Sequence, residues 1–186
     1  MLDLAKRQLR RIVAALRPQI QAGVPLVGLE PSCVAVFRDE LLELLPHDED
    51  AKRLSKQSFL LSELLERTGG WNPGRLPRRV LVHGHCHQKA LMGMSAEETI
   101  PQRLGVDYEL LDAGCCGMAG AFGFEREHYD VSIACGERAL LPAVRAADAE
   151  TVLVANGFSC REQIAQTTDR EAVHLAELIR MASDTS

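Results

Sequence analysis

Aromatic side chains make up only 4% of this 186-residue chain, and Lys and Arg (21) are outnumbered by Asp and Glu (26), for a formal net charge of −5. Binding nucleic acid takes a positive face and stacking platforms, so nucleic acid is not an expected partner. No apolar run approaches the length of a membrane span, and the charged amphipathic start MLDLAKRQLRRIVAAL is unlike a signal peptide. The expectation is a cytoplasmic protein with no transmembrane segment, reaching the inner membrane only through partners. Neither a GxGxxG fingerprint nor a P-loop occurs, so no flavin, nicotinamide or ATP site is expected within these residues.

What the chain does have is 46% hydrophobic content, enough to bury the core of one domain or two small ones, and six cysteines. In a compartment that keeps thiols reduced, six cysteines point to metal binding or redox work rather than a disulfide framework.

Apolar residues at helical spacing predict a helix over 2–21, ending at Gly23. VPLVGL (24–29) reads as a buried strand. Helices follow over 34–45 and 49–67, the second capped by Asp48 and stopped by Gly69. The segment 71–79 is a loop, and 80–83 is a strand. Residues 87–104 are mostly helical, with a fresh start at a Ser95/Glu98 capping box and an awkward Pro101. Strands at 108–111 and 151–156 flank a helix over 124–147, and helices begin near 159 and span 171–182. Alternating strands and helices predict an α/β fold of small parallel sheets flanked by helices.

Laying Cys33 on Cys160, an offset of 127 residues, superposes VPLVGLEPSC on TVLVANGFSC, each preceded by a helix. The strands bearing HGHCH and GCCG have no counterpart ahead of the first copy. The reading is therefore the C-terminal half of one repeat over 1–70, a linker over 71–79, and a complete second repeat over 80–186.

Cys86 is followed after 28 residues by Cys115 and Cys116, and after 43 more by Cys160. Each follows a predicted strand, at the carboxyl end of the sheet where open α/β folds build their sites. Adjacent residues in a tight turn diverge, so the vicinal thiols suit separate irons of one cluster better than two corners of one tetrahedral zinc. Gly114 and Gly117 flank the pair, permit unusual dihedrals and let backbone N–H groups point at sulfur.

HGHCHQKAL, DAGCCGMAGAFG, GLEPSC and NGFSC together resemble the cysteine-rich CCG domain of heterodisulfide reductase subunits, anaerobic glycerol-3-phosphate dehydrogenase iron–sulfur subunits and lactate-utilisation proteins. They are most similar to the C-terminal part of FAD-linked, iron–sulfur oxidoreductases of the D-lactate and D-2-hydroxyglutarate dehydrogenase type. The resemblance spans essentially the whole chain. It implies cluster binding and electron transfer from a flavin in an upstream domain or subunit, with this chain a C-terminal fragment or split-gene product. The fuller pattern closes with two cysteines separated by two residues, whereas Gly157 stands here where the first would be. Cys86, Cys115, Cys116 and Cys160 still suffice for a [4Fe–4S] cluster. Cys33, with Glu30 at the place matching Gly157, would belong to the first repeat's site or join the surviving one.

Simpler readings stand beside these. Vicinal cysteines can be packing residues, and Cys135, with Val131 and Ala139 a helical turn away, is expected in the core. His83, His85 and His87 alternate around Cys86 and offer nitrogen ligands, which keeps a structural zinc site that joins subunits open as an alternative. A redox dithiol at Cys115 and Cys116 is a third reading, weakened because no Lys or Arg adjoins them. His47, His128 and His174 read as surface or helix residues, and 125–127 as a solvated helix start. Half a repeat would leave a sheet edge and an apolar face exposed, so a partner or a homo-oligomer is expected.

Overall fold

The computed structural model describes residues 1–184. α1 (Leu2–Gln21) buries Leu9, Val13 and Ile20 on one stripe, the periodicity that its sequence shows. β1 (Leu26–Gly28) leads to α2 (Pro31–Arg38), α3 (Glu40–Leu44) and α4 (Glu49–Gln57). Asp48 caps α4 as expected, accepting hydrogen bonds from the Asp50 and Ala51 N–H groups. The long helix expected over 49–67 is broken, because Ser58–Leu60 form β2, parallel to β1, before α5 (Leu61–Thr68). Its apolar residues suit a buried strand and a buried helix equally, and only the pairing with Leu26–Gly28 decides between them.

β3 (Arg79–His83), α6 (Cys86–Leu91), α7 (Ser95–Leu104) and β4 (Asp107–Leu110) follow. α7 begins at Ser95, but Met94 is its N-cap and no side chain caps it, so the expected capping box does not form. Pro101 lies buried inside that helix. The helix expected over 124–147 is four pieces: 3₁₀ turns at Phe122–Phe124 and Arg126–His128, then α8 (Tyr129–Gly136) and α9 (Leu140–Ala146). The break falls at Ala139, whose backbone leaves helical geometry at φ −154° and ψ −48°. β5 (Val152–Ala155), α10 (Phe158–Thr167), β6 (Ala172–Val173) and α11 (Leu175–Ser183) complete the chain, β6 taking the start of the helix expected over 171–182.

The protein is thus α/β, with a two-stranded parallel sheet β1-β2 and a four-stranded parallel sheet in the order β4-β3-β5-β6. Side-chain alternation splits the larger sheet's core into two layers. Val80, Val82 and Val154 face Ile100, Leu104 and Leu178, while Leu81, Leu153 and Ala155 face Leu140, Leu141, Val144 and Ile164. Truncating Leu141 or Leu178, both fully buried, to Ala costs about 2–5 kcal/mol through lost transfer energy and the cavity left behind. A third cluster joins α1, α3 and α4 around Leu9, Val13, Leu41 and Leu54.

The two segments aligned in sequence also share an order of elements. Both copies run strand, helix, parallel strand, helix: β1, α2, β2, α5 against β5, α10, β6, α11, with α3 and α4 inserted in the first. The last helix starts alike in both. The Leu60 N–H donates to Glu63 Oε2 at 2.9 Å, and the His174 N–H donates to Glu177 Oε2 at 2.8 Å. Among the described residues β1 has no neighbour on its second edge, and Val24, Val27 and Leu29 are exposed beside it. No helix among the described residues is long and apolar enough to cross a membrane.

Candidate metal centre

Parallel register sets the carboxyl ends of three strands level, since Val82 pairs with both Leu110 of β4 and Val154 of β5. The chain then turns three times at one rim. After β3 it passes Gly84 and His85 and enters α6 at Cys86. After β4 it runs through Ala113 into Gly114, Cys115, Cys116 and Gly117. After β5 it passes Asn156 and Gly157 into α10, whose first turn carries Cys160. The Lys89 ammonium on α6 donates to the Ala113 carbonyl, tying the first turn to the second.

Four of the sequence-derived candidates meet there. Cys86 Sγ lies 3.9 Å from Cys115 Sγ. Cys116 lies close enough to both Cys115 and Cys160 to shift the ionisation of each, so the four sulfurs adjoin in a row. Four adjoining thiols cannot all ionise without a cation among them, and the row splits accordingly. Contact with Cys116 and Cys86 holds Cys115 down to about 2. Cys116 likewise holds Cys160 down to about 5, with His83 and His85 adding to the effect. Contact with Cys115 and burial push Cys86 up, and Cys116 is pushed up by Cys115, Cys160 and burial. Backbone N–H groups of His87, Gly117 and Met118 point at Cys86, Cys115 and Cys116, the Gly117 N–H at 3.4 Å from Cys115 Sγ.

The two glycines differ. Gly117 has φ +100°, and a Cβ there would lie 2.0 Å from the Ser132 carbonyl oxygen, so only glycine fits. At Gly114 an added Cβ meets nothing within 4 Å, and the protein's own atoms do not demand a glycine. Cys116 and Cys160 also belong to the apolar cluster on one face of the sheet, so the packing reading holds for their flanks while their sulfurs join the row.

The histidines do not share one side of a strand, because β3 ends at His83 and the helix begins at Cys86. His83 and His85 are buried and His87 is exposed. Neither ring nitrogen of His83, nor Nδ1 of His85, has a hydrogen-bond partner among the described residues. A ligand atom of each of His85, Cys86 and His87 lies within 4.8 Å of the others. Thiols with buried, unpaired imidazoles are a donor set for zinc, iron or an iron–sulfur cluster.

Cys33 is exposed on the first turn of α2, which packs against α6. No hydrogen bond among the described residues joins it to the sulfur row. Glu30 is the cap of that helix instead, accepting from the Ser32 N–H.

Two residues read otherwise in the sequence, Cys135 and His174, and one not singled out there, Arg138, take different places in the structure. Cys135 is not in the core: it is half-buried in a cleft of about 420 Å³ with Asp112, Gly114, Cys115, Arg138 and Ala139. Val131, expected to pack beside it, is exposed. Arg138 thus brings a cation to the cleft of Cys115, which its distance along the chain concealed. His174 is buried rather than superficial: its Nε2 meets the Leu29 carbonyl at 2.8 Å and its Nδ1 accepts from the Ala176 N–H at 2.9 Å. The carbonyl can only accept, so the ring is the neutral Nε2–H tautomer, and burial holds its pKa down.

No protein-family profile matches the chain. It is 29% identical to the D-2-hydroxyglutarate dehydrogenase of Pseudomonas putida over 91% of its own length and 16% of that protein's. It is 30% identical to one subunit of the anaerobic glycerol-3-phosphate dehydrogenase of Escherichia coli over 97% of its length, covering 46% of that relative. Lactate utilization protein A of Bacillus velezensis is 26% identical over 94% of the chain and 76% of the relative. The homologues of this chain are thus dehydrogenases, a dehydrogenase subunit and a lactate-utilisation protein, and it matches only a part of the first two.

Proposed function

We propose that this chain is an electron-transfer module in which Cys86, Cys115, Cys116 and Cys160 hold a [4Fe–4S] cluster. Its partner is a flavin-bearing domain or subunit that uses FAD to oxidise a 2-hydroxy acid such as D-lactate or D-2-hydroxyglutarate. The observation that carries this is the gathering of four cysteine sulfurs from three strand ends at one rim, Cys86 beside Cys115 although 29 positions apart. The names of the homologues supply the substrate class. A bound cluster would supply reversible one-electron chemistry.

The chain's own residues would do the rest. Cys115 and Cys160 present sulfur already in the thiolate form. The N–H groups of His87, Gly117 and Met118 stabilise charge on sulfur. Residues 80–186 act as a complete CCG repeat and 1–70 as the second half of another, and the exposed edge of β1 is where a partner chain would add.

The second reading is a structural zinc site without redox work. It is favoured by the 3.9 Å separation, because two thiolates on one tetrahedral zinc at about 2.3 Å lie roughly 3.8 Å apart. Metal and sulfide analysis after anaerobic purification separates the two. The cluster requires roughly four iron and four labile sulfide per chain. Zinc without sulfide selects the structural site, and absence of both metals refutes each reading.

A further inference from the structure

Gly157 sits at φ −70° and ψ 127°, extended backbone that any residue adopts. What excludes a side chain is the His85 imidazole. A Cβ at position 157 would lie 2.4 Å from Cδ2 and 3.3 Å from Cγ of that ring, and 3.2 Å from Cys160 Sγ. The ring therefore fills the volume that a residue-157 side chain would take, against the sulfur row. It is only 7% exposed, and its Nδ1 has no hydrogen-bond partner among the described residues. A buried polar nitrogen left without a partner is uncommon in a native fold, and a bound metal is one of the ways in which it is satisfied.

We propose that His85 is a fifth protein donor to the centre, its unpartnered Nδ1 binding an iron while the Cδ2 edge of the ring packs into the space that Gly157 leaves open. The assignment rests on the cluster reading above. One iron then carries an imidazole as well as a thiolate. The three histidines near Cys86 are not equivalent in this respect. His87 is exposed. His83 is buried with both ring nitrogens unpartnered among the described residues, but it is the His85 ring that fills the space left by Gly157 against the Cys160 sulfur. A neutral nitrogen donor in place of a further anionic sulfur leaves the centre less negative and easier to reduce.

The test is nitrogen hyperfine spectroscopy of the chain reconstituted anaerobically with ferrous iron and sulfide and then reduced, with and without ¹⁵N-histidine. A histidine nitrogen coupling of directly bound strength is expected, changed by the label, lost in His85→Ala and kept in His83→Ala and His87→Ala. Absence of the coupling from the unsubstituted chain, or its survival in His85→Ala, overturns the assignment. Should His85→Ala fail to load iron, retention of the coupling in both His83→Ala and His87→Ala assigns it to His85, and loss in either overturns it. An unsubstituted chain that takes up no iron and sulfide fails earlier, at the metal analysis, and refutes the cluster reading along with this assignment.

Discussion

The Glu30 carboxylate accepts a hydrogen bond from the Phe158 backbone N–H at 2.6 Å, across 128 positions of sequence. Glu30 caps α2 and Phe158 opens α10, so one side chain serves the first turns of both repeat-related helices. An anion between two helix N-termini is favoured by both dipoles. The turn it steadies is the one that carries Cys160.

Removing that carboxylate tests its structural weight. Glu30→Ala is expected to cost about 1–2 kcal/mol, as the loss of a helix cap does, and Glu30→Gln less. Denaturant unfolding of the two variants measures it. Equal stability of Glu30→Ala and the unsubstituted chain would show that the contact contributes nothing.

The two glycines of the double-cysteine turn should separate cleanly. Gly117→Ala forces a Cβ onto the Ser132 carbonyl at a positive φ and should destabilise by more than about 2 kcal/mol. Gly114→Ala, with open space in front of it, should leave the melting temperature of the metal-free chain within about 2 °C. Thermal melts of both variants decide it, and a tolerated Gly117→Ala would contradict the geometry.

Thiol reactivity follows from the split of the sulfur row. Only the thiolate is alkylated. Cys115, held down to about 2 by Cys116 and Cys86, is thiolate throughout pH 5–9, so its iodoacetamide labelling in metal-free protein should be nearly flat over that range. Cys86, pushed up by Cys115 and burial, should stay unlabelled until more alkaline pH. Peptide mass spectrometry reads both sites, and a tenfold rise per pH unit at Cys115 would contradict its assignment as the thiolate.

Burial pushes the Glu97 carboxyl up, against the opposing influence of its polar neighbours, Ser62 first. The Ser62 hydroxyl donates to it at 2.7 Å. A raised carboxyl pKa means that the fold prefers the protonated form. Its stabilising contribution is complete below the ordinary carboxyl pKa and is lost as pH rises through the folded value. Glu97→Gln, which mimics the protonated acid, should therefore match or exceed the unsubstituted chain at pH 8, with the difference closing toward pH 5. Parallel stability curves across that range would show that Glu97 is not the titrating group.

Much of this architecture was readable from residue order. Helical spacing marked α1, Asp48 marked the start of α4, and apolar runs ending in cysteine marked β3, β4 and β5, because local periodicity and capping act through near neighbours. The misreadings have a common origin. Ser58–Leu60 became a strand only by pairing with Leu26–Gly28, and the 124–147 segment broke where Ala139 leaves helical geometry ahead of α9, which packs Leu140, Leu141 and Val144 into the core.

The amino-acid order by itself determined that Cys86, Cys115, Cys116 and Cys160 would each follow a strand, since strand and turn propensities are local. Only the tertiary structure decided that three strand ends stand level, that Cys86 lies 3.9 Å from Cys115, and that the His85 ring fills the space beside Gly157. Those relations are set by parallel register and close packing between segments distant in the chain, which no single stretch of sequence encodes.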